Sequence, residues 1–210
     1  MKTADLLQYI HDRLFVLYGN CICPLHHASP FQLLAAVMLS AQCRDERVNS
    51  VTGRLFSLAP GAAEMSQLAP EIVEELIRPC GLSGSKSRNL CASAKIIMEK
   101  YHGRVPDNMA DLTALPGIGR KSANVILGNS FGIPGFPVDT HVKRVLNRIG
   151  VVESNSPEKI EKIVNDNIAP DLWTNFSHLI IQHGRQVCHA GKPECANCVL
   201  ETICKKKKVK

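Results

Sequence analysis

Aromatic side chains are scarce in this chain: they make up 5% of its 210 residues, with a single tryptophan. Long apolar runs are missing too. None approaches the roughly 20 residues of a membrane-spanning helix, so no helical membrane protein is expected. The N-terminus, MKTADLLQYIHDRLFVLYG, has no clean apolar stretch, because Asp5, His11, Asp12 and Arg13 interrupt it. It reads as an amphipathic helix and not as a signal peptide, which points to a soluble, intracellular protein. Strand-like alternation bounded by turn residues is hard to find, so the expected fold class is all-α. The nine cysteines are an odd number, which argues against a disulfide framework in such a chain.

What is present is 45% hydrophobic sequence, enough for a sizeable core in one domain or two small ones. Phe31 to Leu39 is apolar nearly all round, as in a helix buried at the centre of a domain. Helices are also read after Pro70, over Ser85–Lys100, and from Pro106-Asp107 to near Ala114. Val142, Val145, Leu146 and Ile149 form a helical stripe, with Lys143, Arg144 and Arg148 on the other face. Leu172, Phe176, Leu179, Ile180, His183 and Val187 mark a further helix. GNSFGIPGFP, Gly128 to Pro137, is expected to be an irregular linker. The net charge of +6 is uneven: the tail KKKKVK holds five lysines, leaving about +1 for the rest. That tail either adds phosphate attraction or is a solvated terminus.

The stretch LPGIGRKSANVIL, Leu115 to Leu127, puts a proline and two glycines just before a cationic pair and a helix. Pro116 breaks the preceding helix, and the glycines permit a tight hairpin whose backbone N–H groups converge at a helix start. Such a concavity suits a phosphate oxygen. Ile118 is expected to point inward. Ala123, Ile126 and Leu127 share one helix face, and Lys121 lies opposite with Asn124, Val125 and Gly128. Lys121 thus projects from the first turn as a nucleophile able to form a Schiff base, or as a phosphate contact.

Asp139 stands just before the Val142 stripe. It is a helix N-cap, a catalytic carboxylate, or both at once. His141 is a structural histidine or a proton shuttle. Cys188, Cys195, Cys198 and Cys204 are spaced C-x6-C-x2-C-x5-C, which reads as one tetrahedral thiolate site for Zn²⁺ or an iron–sulfur cluster. Only one CxxC knuckle is present, which favours iron–sulfur. Lys192 makes the loop between the first two of these cysteines basic. Cys21, Cys23, His26 and His27 have ligand chemistry, but Pro24 interrupts them and no second metal site is expected. Cys43, Cys80 and Cys91 are scattered and read as small hydrophobes.

Together, LPGIGRKSANVIL, VDTHVKRVLNRIG, HGRQVCHAGKPECANCVLETIC and SAQCRDERVN resemble the endonuclease III family of helix–hairpin–helix DNA glycosylases, in order and over nearly the whole chain. The resemblance implies two helical lobes. Residues 22–132 would carry the hairpin. Residues 1–21 with 133–210 would hold a [4Fe-4S] cluster on Cys188, Cys195, Cys198 and Cys204, and the basic tail. It implies a base-excision DNA glycosylase and abasic-site lyase acting on oxidised or ring-saturated pyrimidines in double-stranded DNA. Lys121 would be the nucleophile and Asp139 its carboxylate partner, set between the lobes. Gln42 and Leu82 would fill the space left by a flipped nucleotide, and Gly117, Gly119, Arg120 and Lys192 would contact phosphates. A monomeric, cytoplasmic, nucleoid-associated bacterial enzyme is the corresponding expectation. Two positions depart from the usual pattern: Arg44 replaces a small hydroxyl residue, and Ser83-Gly84 replace a bulky aromatic after Leu82.

Overall fold

The computed structural model describes residues 2–207 and 209. Eleven α-helices occur among them, and no strand. They are α1 (Thr3–Tyr18), α2 (Pro30–Leu39), α3 (Asp45–Leu58), α4 (Ala62–Gln67), α5 (Pro70–Ile77) and α6 (Ser83–Tyr101). Then follow α7 (Met109–Ala114), α8 (Arg120–Ser130), α9 (Thr140–Ile149), α10 (Pro157–Asn165) and α11 (Trp173–Gln186). No helix among the described residues is long and apolar enough to cross a membrane. The chain forms two compact units, Met1–Ile22 with Pro134–Lys210, and Cys23–Ile133.

The Cys23–Ile133 unit is built around α2. Phe31 and every residue from Leu33 to Leu39 are buried, so this helix is surrounded by its neighbours, as its uniform apolarity predicts. Its start is fixed by Ser29, whose hydroxyl accepts from the Gln32 N–H, and by Pro30 at the first helical position. Val48, Val51 and Leu55 of α3, Val73 and Ile77 of α5, and Leu90, Ala94 and Ile97 of α6 complete this core. Ile118, Ala123, Ile126 and Leu127 seal it from the hairpin side.

In the other unit, α1 contributes Leu7, Ile10 and Leu14, and α9 contributes Val142, Val145, Leu146 and Ile149. Phe176, Leu179 and Ile180 of α11 pack with them. Phe136 packs on Phe176 with ring centroids 5.8 Å apart.

Several local readings are corrected. α7 begins at Met109, because Asn108 caps it by accepting from the Asp111 N–H at 2.9 Å; Pro106 lies outside the helix. α8 runs through Gly128, Asn129 and Ser130, which the sequence assigned to a linker. A helical glycine costs only about 1 kcal/mol, and Asn129 Nδ2 donates to the Val125 carbonyl at 2.8 Å. Helices α3, α4 and α10 have no counterpart among the helices expected from the sequence.

One cap is missing. Arg44 holds the N-cap position of α3 with extended backbone, φ −75° and ψ 145°, and supplies no side-chain cap bond. Arg44→Ser supplies the absent acceptor, and the urea-unfolding free energy is expected to rise by about 1 kcal/mol. An unchanged midpoint would show that this helix start is already satisfied.

Candidate active site and cysteine loop

The hairpin joins α7 to α8. The Ile118 N–H donates to the Leu115 carbonyl at 3.1 Å, and Ser93 Oγ of α6 donates to the Pro116 carbonyl at 3.0 Å. Ile118 is buried, as expected. The two glycines serve different ends. Gly117 has φ +81°, and a Cβ there would meet Asn89 Nδ2 at 2.9 Å and Met38 Cε at 3.2 Å. Gly119 has φ −97°, an ordinary conformation, and a Cβ there would meet nothing within 4 Å. Gly117 is therefore needed by the fold. Gly119 leaves an open approach to the start of α8, where no side chain caps the first N–H groups.

This contrast gives a paired test. Gly117→Ala is expected to cost about 2 kcal/mol or more in urea unfolding, from left-handed backbone and overlap. Gly119→Ala is expected to cost less than about 1 kcal/mol yet to weaken binding to duplex DNA. Equal stability losses would contradict the division of labour.

Lys121 is exposed in the first turn of α8, while Ala123, Ile126 and Leu127 are buried on the opposite side. Asn124 departs from the expected pattern: it is buried and bonded, so the polar face of α8 is narrower than its period suggests. Gly117, Gly119 and Arg120 are exposed beside Lys121 on the same hairpin. Gln42 and Leu82 lie in the same unit, both exposed, and both non-glycine residues in the left-handed region at φ 53° and 52°. Strain of that kind gathers at functional positions.

Asp139 belongs to the other unit. Its Oδ1 accepts from the Val142 N–H at 2.8 Å and caps α9. His141, two residues along, has its pKa lowered mainly by burial. Its Nδ1 stands 3.0 Å from Arg144 Nη2, which can only donate. Nδ1 is therefore the acceptor, and His141 is a structural neutral imidazole packed against Gly184.

Cys188, Cys195, Cys198 and Cys204 line one pocket with Val145, Ile149 and Leu200. Burial pushes the Cys198 and Cys204 thiols up, and the neighbouring cysteine sulfurs add to it. Among the described residues no three His, Cys, Asp or Glu side chains are grouped tightly enough to hold a single metal ion. This also applies to Cys21, Cys23, His26 and His27.

The loop is stapled to α9 by two arginines that the sequence placed on its outer face. Arg148 is instead buried, 7% exposed. It donates to Cys188 Sγ at 3.5 Å and to the carbonyls of His189 and Ala190. Arg144 donates to the carbonyls of Cys188 at 3.0 Å and Gly184 at 2.8 Å. His183, 1% exposed, links Tyr18 Oη at 3.2 Å to Cys198 Sγ at 3.4 Å. Burial lowers its pKa to about 4. An arginine four residues after another, ahead of a cysteine run, was the available sign of this staple.

Lys192 is exposed between Cys188 and Cys195. The basic tail starts bound and not frayed: the N–H groups of Lys205 and Lys207 donate to the carbonyls of Ile149 and Arg148. Lys208 and Lys210 lie outside the described residues.

The family model for the HhH-GPD superfamily base excision DNA repair protein matches residues 35–170. Endonuclease III of Synechocystis sp. (strain ATCC 27184 / PCC 6803 / Kazusa) is 44% identical over 207 residues, covering 97% of this chain and 94% of that protein. The chain belongs to the endonuclease III family. Endonuclease III of Escherichia coli (strain K12) is 40% identical over 183 residues, 87% of each chain. The structure of a trapped endonuclease III–DNA covalent intermediate, an estranged-adenine complex, matches with a TM-score of 0.93 at 38% identity, covering 98% of this chain and 97% of that one. As an endonuclease III, this chain is a base-excision DNA glycosylase with abasic-site lyase activity.

Proposed function

We propose that this endonuclease III removes oxidised or ring-saturated pyrimidines from duplex DNA through Lys121 and then cuts the strand 3′ to the abasic site. The observation that carries the reading is an exposed lysine in the first turn of a hairpin helix, next to an approach that Gly119 keeps open. Gly117, Gly119 and Arg120 hold backbone phosphates at the hairpin, and Lys192 holds another from the cysteine loop. The lesion nucleotide flips out of the stack, at a cost its weak stacking reduces. Gln42 and Leu82 fill the space it leaves.

The chemistry uses one amine and one carboxylate. The Lys121 lone pair forms a bond to C1′ while the glycosidic bond breaks and the base departs. The sugar ring opens to an iminium. Loss of a C2′ proton then expels the 3′ phosphate, and water frees Lys121. Asp139 accepts the Lys121 proton and stabilises positive charge on the sugar. Its cap bond to Val142 fixes the carboxylate for that role. Asp139→Asn keeps the cap and removes the charge.

The four loop cysteines line one pocket, and their C-x6-C-x2-C-x5-C spacing, with a single CxxC knuckle, supports an iron–sulfur cluster over a structural zinc ion. Cys188, Cys195, Cys198 and Cys204 would hold a [4Fe-4S] cluster, whose iron–thiolate bonds would neutralise the sulfurs and lock the loop. The enzyme would act as a cytoplasmic monomer.

A panel of duplexes, each with one defined lesion, tests the substrate. Release of thymine glycol or dihydrouracil, with cleavage 3′ to the site, is expected. Asp139→Asn is expected to slow it by about a hundredfold or more with little change in stability. Release confined to mismatched thymine or uracil would overturn the substrate class. Purified protein is expected to carry iron and acid-labile sulfide; zinc alone would contradict the cluster.

A further inference from the structure

Lys86 is a buried cation that the excision chemistry leaves unused. It is 5% exposed and sits in the first turn of α6. Burial pulls its pKa down, which shows that sheltering the charge is costly. The helix start adds to that cost, because its dipole disfavours a cation. An apolar residue in the same place would carry neither burden.

The ammonium reaches back along the chain. Its Nζ donates to the Cys80 carbonyl at 2.9 Å, at the end of the 3₁₀ turn Arg78–Cys80 that follows α5. Carbonyls at such an end favour a cation. The Lys86 N–H donates to the Leu82 carbonyl at 3.0 Å. One residue therefore grips carbonyls on both sides of Gly81. Ser85 Oγ donates to the same Leu82 carbonyl at 3.0 Å, and Ser83 Oγ to Glu74 Oε1 of α5 at 3.3 Å. Between the two grips φ is positive twice, 65° at Gly81 and 52° at Leu82. Glycine takes positive φ freely and leucine does not. The Leu82 side chain is 57% exposed, so its own packing does not hold it there. The constraint comes from the bonds around it.

We propose that Lys86 is a positioning residue for lesion recognition, which clamps the turn from Cys80 to Ser83 so that Leu82 is presented in a fixed backbone to the space left by the flipped nucleotide. That role rests on the reading of Leu82 as a residue that fills this space. A wedge fixed in advance has less freedom to lose on insertion, so binding is strengthened where a space opens. Intact duplex opens no such space and gains nothing. Damaged DNA is therefore favoured over intact DNA. Lys86 acts through Leu82 and is too buried to meet DNA itself.

The test compares Lys86→Met and Leu82→Ala with the wild-type holoprotein. Methionine keeps an unbranched stem and loses the ammonium. The lost bond and the relieved burial offset each other, so the urea midpoint should stay close to that of wild type. Lys86→Gln, neutral and one atom shorter, is a second variant with the same expected losses. Peptides spanning residues 78–85 should exchange their amide hydrogens about tenfold faster in the Lys86 variants. Affinity for a duplex with a non-cleavable abasic-site analogue, divided by affinity for the intact duplex, should fall about tenfold in the Lys86 variants and in Leu82→Ala. Binding to the intact duplex should persist, because the hairpin is untouched. A purely structural role for Lys86 would lower the folded fraction and leave that ratio as it is. Unchanged exchange over residues 78–85 would overturn the proposal. So would a wild-type ratio in the Lys86 variants beside a lowered one in Leu82→Ala. A wild-type ratio in Leu82→Ala would instead overturn the reading of Leu82 on which the proposal depends.

Discussion

Lys121→Ala is expected to lower strand cleavage at an abasic site by at least about a thousandfold while leaving the protein folded. Removing a covalent nucleophile takes away a bond and not a contact, and such losses are the largest single-residue effects in enzymes. The side chain is exposed, and the buried face of α8 is formed by Ala123, Ile126 and Leu127, so truncation touches no packing. The unfolding midpoint should therefore stay within about 0.5 kcal/mol of wild type. Binding to an abasic-site duplex should persist, because Gly117, Gly119 and Arg120 remain. Cleavage retained within tenfold would place the nucleophile elsewhere.

The second large effect belongs to Arg148. It is buried, and its guanidinium bonds the Cys188 sulfur and two loop carbonyls, while its own carbonyl accepts from Cys204 Sγ and from the Lys207 N–H. Arg148→Met keeps the bulk and strands the loop acceptors. Each orphaned buried acceptor costs about 1–3 kcal/mol, so a loss of roughly 3 kcal/mol is expected. Iron content should fall with it. Arg148→Lys keeps the charge but not the planar fork, and an intermediate loss is expected. A loss below about 1 kcal/mol for the methionine variant would mean that the loop is held by its cysteines alone.

The parts of this molecule that the sequence disclosed are those with strong local causes. The α9 stripe of Val142, Val145, Leu146 and Ile149 is buried as its period requires, and Asp139 caps that helix as its chemistry requires. The uniform apolarity of α2 likewise announced its central position. Effects set by tertiary contact were not legible. Arg148 looked like a surface charge, because helical period cannot show that a loop forty residues later supplies acceptors. Gly117 and Gly119 looked alike, and only the closeness of Asn89 and Met38 tells them apart. The left-handed backbone at Gln42 and Leu82 left no mark in residue type, since leucine gives no sign of positive φ.

The central claim is that Lys121 becomes covalently attached to DNA. Incubating the protein with abasic-site duplex and sodium borohydride reduces an imine to a stable amine. One protein–DNA adduct is expected, and digestion followed by mass spectrometry should map it to the peptide containing Lys121. Lys121→Ala should form none. An adduct that survives this substitution, or that maps to another lysine, would contradict the account.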